Sequence, residues 1–177
     1  KGHKEFIRIF AQMLESWEKD HKIAKPQLHI IGQSENVKVS QLQELVRVSG
    51  LKEGDDVVFT HKRLDELKQR ICQAKLGVVS SLWSEEICRV AQEFLVCGLP
   101  IAVTDVGSLQ DLLFPGAGTL YYDPNCEQSS VSKLKKALID AVEESEQDRQ
   151  QRAKQAQKLF CLDTMGTHLL RHLDELR

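Results

Sequence analysis

The sequence predicts an α/β fold built on a doubly wound parallel sheet, with helices on both of its faces. Short apolar runs of strand length alternate along the chain with segments in which apolar residues recur at helical spacing. The helical segments are about 10 to 15 residues long, enough to connect one strand to a parallel neighbour. A chain of 177 residues, 41% hydrophobic and 28% charged, fits one domain with its own core.

The first part of the chain predicts three helices and two strands. The strand segments, QLHIIG and DVVFTH, are short apolar runs, and the helical segments carry an apolar residue every three or four positions. In chain order we expect a helix at 4–20, a strand at 27–32, a helix near 37–49, a strand at 56–61 and a helix at 62–74.

The middle of the chain predicts a β-α-β unit. The apolar runs LGVVSSL and PIAVTD are expected to be strands, at 76–82 and 100–105. Ser84 is expected to cap the helix between them, and Gly98 to end it. The residues expected on the buried face of this helix are Ile87, Val90, Ala91, Phe94 and Leu95.

The last third continues the alternation. We expect a short helix near 107–113, a strand at 119–122 and long helices at about 130–145 and 148–175. The polar stretch EESEQDRQQRAKQAQK is interpreted as a solvated helical face rather than a linker.

The charge of the chain argues against a nucleic-acid partner, and its hydropathy argues against a membrane-spanning segment. The formal net charge is −2, so the sequence lacks the basic balance that binding to a nucleic-acid backbone requires. No apolar run approaches the roughly 20 residues that span a bilayer. We therefore expect a cytoplasmic protein with no nucleic-acid partner, for which peripheral attachment to a membrane surface stays open.

The cysteines and histidines do not predict a metal site. The five cysteines are odd in number and have no CxxC spacing, so we expect reduced structural thiols. His168 and His172 lie four residues apart, but the glutamate of a catalytic HExxH motif is absent. These two histidines are interpreted as ordinary residues of a helix surface.

The candidate site is the edge at which the parallel strands end, because ligands of such sheets bind beyond the carboxyl ends of the strands. Five loops are expected there, at 1–2, 32–33, 60–63, 84–86 and 105–107. Helix N-termini favour anions, and the lysines and arginine of these loops add positive charge, so a phosphorylated ligand is expected. The GxGxxG and Walker motifs are both absent.

Two carboxylates, Glu85 and Glu93, lie eight residues apart in the β-α-β unit. From the residues alone, Glu85 and Glu86 could be first-turn acids that offset the helix dipole. Glu93 could be a surface partner of Arg89, one turn before it. Without further information these structural interpretations are favoured.

The segment SSLWSEEICRVAQEFLVCGLPIAVTDVGSLQDLL, together with Lys1-Gly2 before the first helix, resembles the C-terminal, donor-binding half of GT-B glycosyltransferases of family 4. The E-x7-E motif of that family falls on Glu85 and Glu93, and its aspartate-plus-glycine segment on Asp105 and Gly107. The resemblance covers nearly the whole chain. It implies a Rossmann-like sheet and one nucleotide-sugar-binding domain at 1–177.

The resemblance also implies roles for individual residues. Glu85 would lie near the donor sugar as the catalytic carboxylate, while Glu93 would accept hydrogen bonds from the ribose hydroxyls, a pairing that suits a vicinal diol. Lys1 would neutralise the diphosphate. The remaining residues expected to bind the nucleotide are Glu86, Ile87 and Cys88, through their backbone N–H groups, together with Thr60 and His61. The family usually carries glycine where Cys88 stands.

Two features of the family are missing from this sequence. A strand ending in Gly-Arg normally precedes Lys-Gly, and an N-terminal acceptor-binding half precedes that strand; we therefore expect about one further domain upstream. The isolated chain is not expected to catalyse sugar transfer. The resemblance implies a retaining transfer without an essential metal, from a UDP-, GDP- or ADP-linked sugar.

The form S-E-x-I-x-R-V-x-x-E is similar to a subgroup of bacterial envelope and lipopolysaccharide transferases. It implies a glycan or lipid-linked acceptor at the cytoplasmic face of the inner membrane. Two alternatives stay open: a non-catalytic nucleotide-sugar-binding module, and a sugar-nucleotide 2-epimerase of the same architecture, which epimer analysis of the product would distinguish. A response-regulator-like domain is disfavoured, because no acidic pair ends the first strand.

Overall fold

The structure is a computed structural model that describes residues 2–17, 23–32, 37–60, 64–84, 87–112 and 114–161. The helices and strands follow each other in the predicted alternation. Their bounds are α1 His3–Glu15, β1 Leu28–Ile31, α2 Val39–Val48, β2 Val57–Thr60, α3 Leu64–Gln73, β3 Gly77–Val79, α4 Arg89–Val96, β4 Ile101–Thr104, a 3₁₀ helix Gly107–Leu112, β5 Leu120–Tyr122, α5 Glu127–Glu143 and α6 Glu146–Phe160.

All of these strands pair in parallel, in two sheets. One sheet has the order β1-β2, and the other has the order β3-β4-β5. The predicted parallel α/β class is confirmed, but within the described ranges no ladder of hydrogen bonds joins β1 to β3. The interruption therefore falls between the strand that follows α1 and the strand that precedes α4.

Helices cover both faces of the strands, as a doubly wound fold requires. Successive side chains of a strand point to opposite faces, so Ala102 of β4 joins one core cluster while Ile101 and Val103 join the other. The first cluster holds the buried residues of α1 and α2, and the second holds those of α4 and α6. The two clusters place β4 at the centre of the hydrophobic core.

Helix α1 connects the two sheets. Its buried face packs into one cluster with Val57 of β2 and with Ala102 and Tyr122 of the three-stranded sheet. The ring of Phe6 meets that of Tyr122 edge-on at 6.0 Å between centroids. At the start of the helix, the backbone N–H of Gly2 donates to the Ser80 carbonyl, just past the end of β3, at 2.6 Å. The N-terminus of α1 is thereby fixed against the carboxyl edge of the larger sheet.

Arg152 of α6 holds together three connecting segments on the second face. Its guanidinium donates to the carbonyl oxygens of Gly98 at 2.7 Å and Gly116 at 3.0 Å, and it pairs with the Glu144 carboxylate. Only 4% of Arg152 is exposed. Because a buried guanidinium must be paired, this network fixes α6 against the end of α4.

The apolar face predicted for the 84–98 helix is only partly correct. Ala91 and Leu95 are fully buried, and the Phe94 ring lies against Gly77 of β3. Ile87 and Val90, however, are 63% and 43% exposed. Helical spacing does not apply to Ile87, because α4 begins only at Arg89 and its N-cap is Cys88 rather than Ser84. The helix therefore turns a narrower face to the sheet than the periodicity predicts.

Other boundaries also differ from the predictions. The first helix ends at Glu15 rather than residue 20, the segment at 107–112 is 3₁₀, and α5 begins at Glu127. Helix α6 ends at Phe160, and the rest of the predicted 148–175 helix, with His168 and His172, lies outside the described residues. No helix in the described ranges is both long and apolar enough to cross a membrane.

All five cysteines lie in the described part of the chain, and no disulfide joins them. Only Cys88 is buried, while Cys97 is half-buried and the other three are exposed. The reduced state of these thiols stays a prediction, and among them only Cys88 packs into a core cluster.

We predict that Gly2→Ala destabilises the fold. A Cβ at residue 2 would lie 2.5 Å from the Ser80 carbonyl oxygen and 2.9 Å from Cδ2 of Leu82. Because the nearer atom belongs to the backbone, it cannot rotate away, and we expect the free energy of unfolding to fall by about 1–3 kcal/mol in urea denaturation. The double variant Gly2→Ala/Leu82→Ala should stay destabilised; full recovery would mean that the leucine side chain, not the backbone, limits the space.

We also predict that Arg152→Met lowers the free energy of unfolding by about 3–5 kcal/mol, because it leaves the Glu144 carboxylate and two carbonyls without their donor. The control is Arg47→Met, which breaks an exposed pair with Glu44 on α2 and should leave the unfolding midpoint unchanged. Equal effects of the two substitutions would contradict a structural role for the buried network.

Candidate nucleotide-sugar site

The candidate site lies at the edge where the strands end. Since all strands in each sheet are parallel, Ile31 and Thr60 end the smaller sheet at one edge, and Val79, Thr104 and Tyr122 end the larger sheet at one edge. The loops that follow them lead into helices or the 3₁₀ turn. The contact between Gly2 and Ser80 adds the N-terminus of α1 to this edge.

Four of the described helices, α1, α2, α4 and α5, begin without a side-chain cap, and two of them, α1 and α4, adjoin the connection that leaves β3. Gly2 precedes α1 and Cys88 precedes α4, and neither provides a side-chain hydrogen bond to the first turn. The first backbone N–H groups of a helix have no partner within the helix, and helix N-termini favour anions. Both termini adjoin the connection that leaves β3. The start of α1 is bonded to Ser80 at the beginning of this connection, and α4 begins at its end. This arrangement suits a ligand with more than one phosphate.

The carboxylate motif is described only in part. Glu93 lies in the second turn of α4 with an exposed side chain, whereas Glu85 and Glu86 lie outside the described residues. Among the residues that the structure describes, no ion pair or hydrogen bond occupies the Glu93 carboxylate. The alternative in which Glu93 pairs with Arg89 on the helix surface is therefore not supported.

Cys88 and Ile87 precede α4 in opposite environments. The Cys88 side chain is buried in the second core cluster with Ala91 and Leu95, at 4% exposure. Its thiol therefore points into the core, where it would not obstruct a ligand at the helix N-terminus. Ile87 is largely exposed, so the two residues could contribute only backbone groups to phosphate binding.

Among the described residues, no hydrogen bond or ion pair joins Thr60 to Glu93 or Cys88. Thr60 ends β2 in the smaller sheet, and its carbonyl accepts from Gly32 N–H at 3.3 Å, whereas Glu93 and Cys88 belong to the helix that packs on the larger sheet. Lys1 and His61 lie outside the described residues. Gly2 nevertheless brings the start of the described chain next to Ser80, five residues before Glu85.

Two hydroxyl side chains that the sequence analysis did not single out, those of Thr104 and Tyr122, lie on the face of the larger sheet that α1 covers. Thr104 Oγ1 donates to the Ser81 carbonyl, and Thr104 pairs in register with Tyr122 on the next strand. Thr104 and Ser81 are 1% and 2% exposed. Their position at the ends of the predicted strands 100–105 and 119–122 was the available signal, since side chains at the carboxyl edge line the site.

The Tyr122 phenol stays protonated at physiological pH. Burial raises its pKa far above the usual range, and the negative charge of Glu5 acts in the same direction, while the Ser80 side chain acts against both. Although Ser80 is close enough to lower the pKa, the geometry between the two groups leaves the buried Tyr122 oxygen without a satisfactory hydrogen bond. Tyr122 can therefore act here as a hydrogen-bond donor but not as a base.

The described part of the chain offers no cluster of metal-binding side chains, since no group of three or more His, Cys, Asp or Glu side chains there could hold a metal ion. A shallow groove of about 460 Å³ lies on the outer surface, among α1, the end of α2 and the start of α5. That groove is lined by Arg8, Gln12 and Glu127, and it contains none of the predicted site residues.

The fold is similar to that of several solved glycosyltransferases. Sucrose-phosphate synthase from Thermosynechococcus elongatus matches with a TM-score of 0.74 at 22% identity, over 99% of this chain and 42% of the synthase. HepE of Anabaena, solved in complex with UDP-glucose, matches with a TM-score of 0.69 at 19% identity, over 96% and 44%. A trehalose-6-phosphate synthase matches with a TM-score of 0.63 at 17% identity, over 99% and 39%. The chain thus spans less than half the length of each of these proteins.

These similarities identify the fold as the C-terminal, Rossmann-like half of a GT-B protein. No curated protein matches the chain in sequence with statistical significance. The family described as "Glycosyl transferases group 1" matches residues 1–142, which include α1, the connection from β3 to α4 and the carboxylate motif. The chain therefore belongs to the group 1 glycosyl transferase family.

Proposed function

We propose that this chain is the donor-binding domain of a retaining glycosyltransferase that transfers a sugar from a nucleotide-sugar to a glycan or lipid-linked acceptor. The observation that carries the proposal is that α1 begins beside the connection that leaves β3, and that α4 begins at the end of this connection, both without a side-chain cap. The family membership and the GT-B fold support the same function. One structural neighbour, HepE, was solved with UDP-glucose bound.

The two helix N-termini would stabilise the leaving diphosphate. Negative charge develops on the diphosphate as the bond to the sugar breaks, and fixed backbone N–H groups offset that charge without reorganising. The amides of Glu86, Ile87 and Cys88 would serve at α4, and the first amides of α1 would serve opposite them. Lys1 would add a positive charge at the start of α1. No step in this scheme requires a metal ion.

The two glutamates would contact different parts of the donor. Glu93 is exposed and has no protein partner in the described structure, so its carboxylate is available to accept hydrogen bonds from both ribose hydroxyls. Glu85 precedes α4 and would lie at the sugar end of the donor, as the carboxylate near the reacting carbon. Thr60 and His61 would approach the nucleotide from the smaller sheet.

The proposal includes a further domain in the same polypeptide and a further strand. Within the described ranges β1 pairs only with β2 and β3 only with β4, so each has an edge available to one more parallel strand. A strand leading directly into Gly2 would run beside β3, because Gly2 N–H already bonds to Ser80 in the manner of a ladder. An acceptor-binding domain would precede that strand. We propose that the enzyme acts in the cytoplasm, in the biosynthesis of cell-envelope polysaccharide.

We predict that the complete protein binds one of UDP-glucose, GDP-glucose or ADP-glucose at least about tenfold more tightly than the other two. Calorimetric titration of the three ligands, which differ only in the base, measures this directly. Binding should be unchanged by a chelator, and product analysis should show transfer with retained configuration rather than epimerised donor. The absence of binding to all three would contradict the proposed function.

We predict that Glu93→Gln weakens binding of the preferred nucleotide-sugar at least about tenfold with little change in melting temperature. Loss of the charge weakens the bonds to the ribose diol, and a charge-assisted hydrogen bond contributes roughly 1.5–3 kcal/mol. The matched control is Glu143→Gln, the same substitution at an exposed position in the last turn of α5. A 2′,3′-dideoxy nucleotide should bind wild type and Glu93→Gln nearly equally; an equal loss for ribose and dideoxyribose ligands would show that Glu93 does not contact the diol.

A further inference from the structure

We propose that Thr104 is a positioning residue for the donor site: its hydroxyl fixes the point at which the connection from β3 to α4 leaves the sheet. The inference rests on the proposed function, because that connection ends at the α4 N-terminus. It assigns to Thr104 no contact with the donor.

The hydroxyl of Thr104 makes a hydrogen bond to β3's continuation at a point where the backbone ladder between β3 and β4 has already ended. The ladder between β3 and β4 ends at Val79 and Val103, so Ser81 lies two residues beyond the last paired position of its strand. Its carbonyl oxygen is nevertheless held, because Thr104 Oγ1 donates to it. Both residues are almost completely buried, so water does not compete for this bond.

A second contact holds the preceding carbonyl from another element. Ser80 O accepts from the backbone N–H of Gly2 at the start of α1, and Ser81 O accepts from the side chain of Thr104 at the end of β4. Two consecutive carbonyls are thus fixed by different elements. The next residues, Leu82, Trp83 and Ser84, are exposed. The change from buried to exposed residues therefore falls directly after Ser81.

Packing alone does not require a hydroxyl at residue 104. Valine has nearly the shape of threonine and is at least as favourable in a buried strand. The hydroxyl brings a desolvation cost that only the bond to Ser81 offsets. The neighbouring Tyr122 also carries a buried hydroxyl, facing Ser80 without a satisfactory bond. The hydroxyls of Thr104 and Tyr122 therefore lie at buried positions where apolar side chains would pack equally well.

Fixing Ser81 would reduce the entropy lost when a ligand binds beside the connection. Backbone that is ordered before binding does not have to be ordered by the ligand, so affinity rises without any new contact. The effect of removing the hydroxyl should therefore appear in the mobility of residues 82–88 and in donor affinity, more than in global stability.

The test compares Thr104→Val, which removes only the hydroxyl, with Thr104→Ser, which retains it. The matched control is Thr119→Val. The hydroxyl of Thr119 is buried without a partner just before β5, at the end of that strand away from Tyr122 and the candidate site. In the complete protein, hydrogen–deuterium exchange of peptides covering residues 82–88 is measured without ligand. The dissociation constants of UDP-glucose, GDP-glucose and ADP-glucose are measured by calorimetry.

We expect Thr104→Val to speed exchange in residues 82–88 at least about threefold and to weaken binding of the preferred donor about tenfold, whereas Thr104→Ser and Thr119→Val stay close to wild type. Unchanged exchange and affinity in Thr104→Val would overturn the inference. So would failure of Thr104→Val to fold, since the hydroxyl would then be a requirement of the fold. If the wild type binds none of the three nucleotide-sugars, the proposed function fails, while the exchange measurement still decides whether Thr104 fixes the connection.

Discussion

The backbone hydrogen bond from Gly2 to Ser80 is the contact on which the candidate site depends. It sets the start of α1 against the end of β3, and it leaves so little space that a Cβ on residue 2 would meet the Ser80 carbonyl. Because α1 also packs on residues of both sheets, this one contact fixes the relation between the helix N-terminus, the larger sheet and the connection to α4. A glycine is required there for close approach of two backbones rather than for an unusual backbone conformation, since its φ is −70°.

The candidate site and the buried Arg152 network lie at opposite ends of α4. At the carboxyl edge, α1 and α4 begin without side-chain caps, and helix N-termini favour anions. At the other end of α4, Arg152 pairs with Gly98 and Glu144. This division is consistent with a scaffold that is rigid on one side and open to a ligand on the other.

Buried hydroxyl groups on the face of the larger sheet that α1 covers link the core to the candidate site. Thr104 and Tyr122 are adjacent in register on β4 and β5, and both face the residues that end β3. Each carries a desolvation cost that an apolar residue would avoid. Their presence is explained if the end of β3 must hold one backbone geometry, as the donor site in a glycosyltransferase would require.

The sequence by itself determined the parallel α/β class, the order of the elements and the glycosyltransferase family, because hydrophobic periodicity and the E-x7-E motif are local patterns. Other features were decided only by the tertiary structure. Helical spacing predicted burial of Ile87 and Val90, but both are exposed: Ile87 precedes α4, which begins only at Arg89, and the helix turns a narrower face to the sheet than the periodicity predicts. The closeness of Gly2 to Ser80 and of Thr104 to Ser81 joins residues far apart in the chain, and no local pattern records which strand ends meet across a sheet.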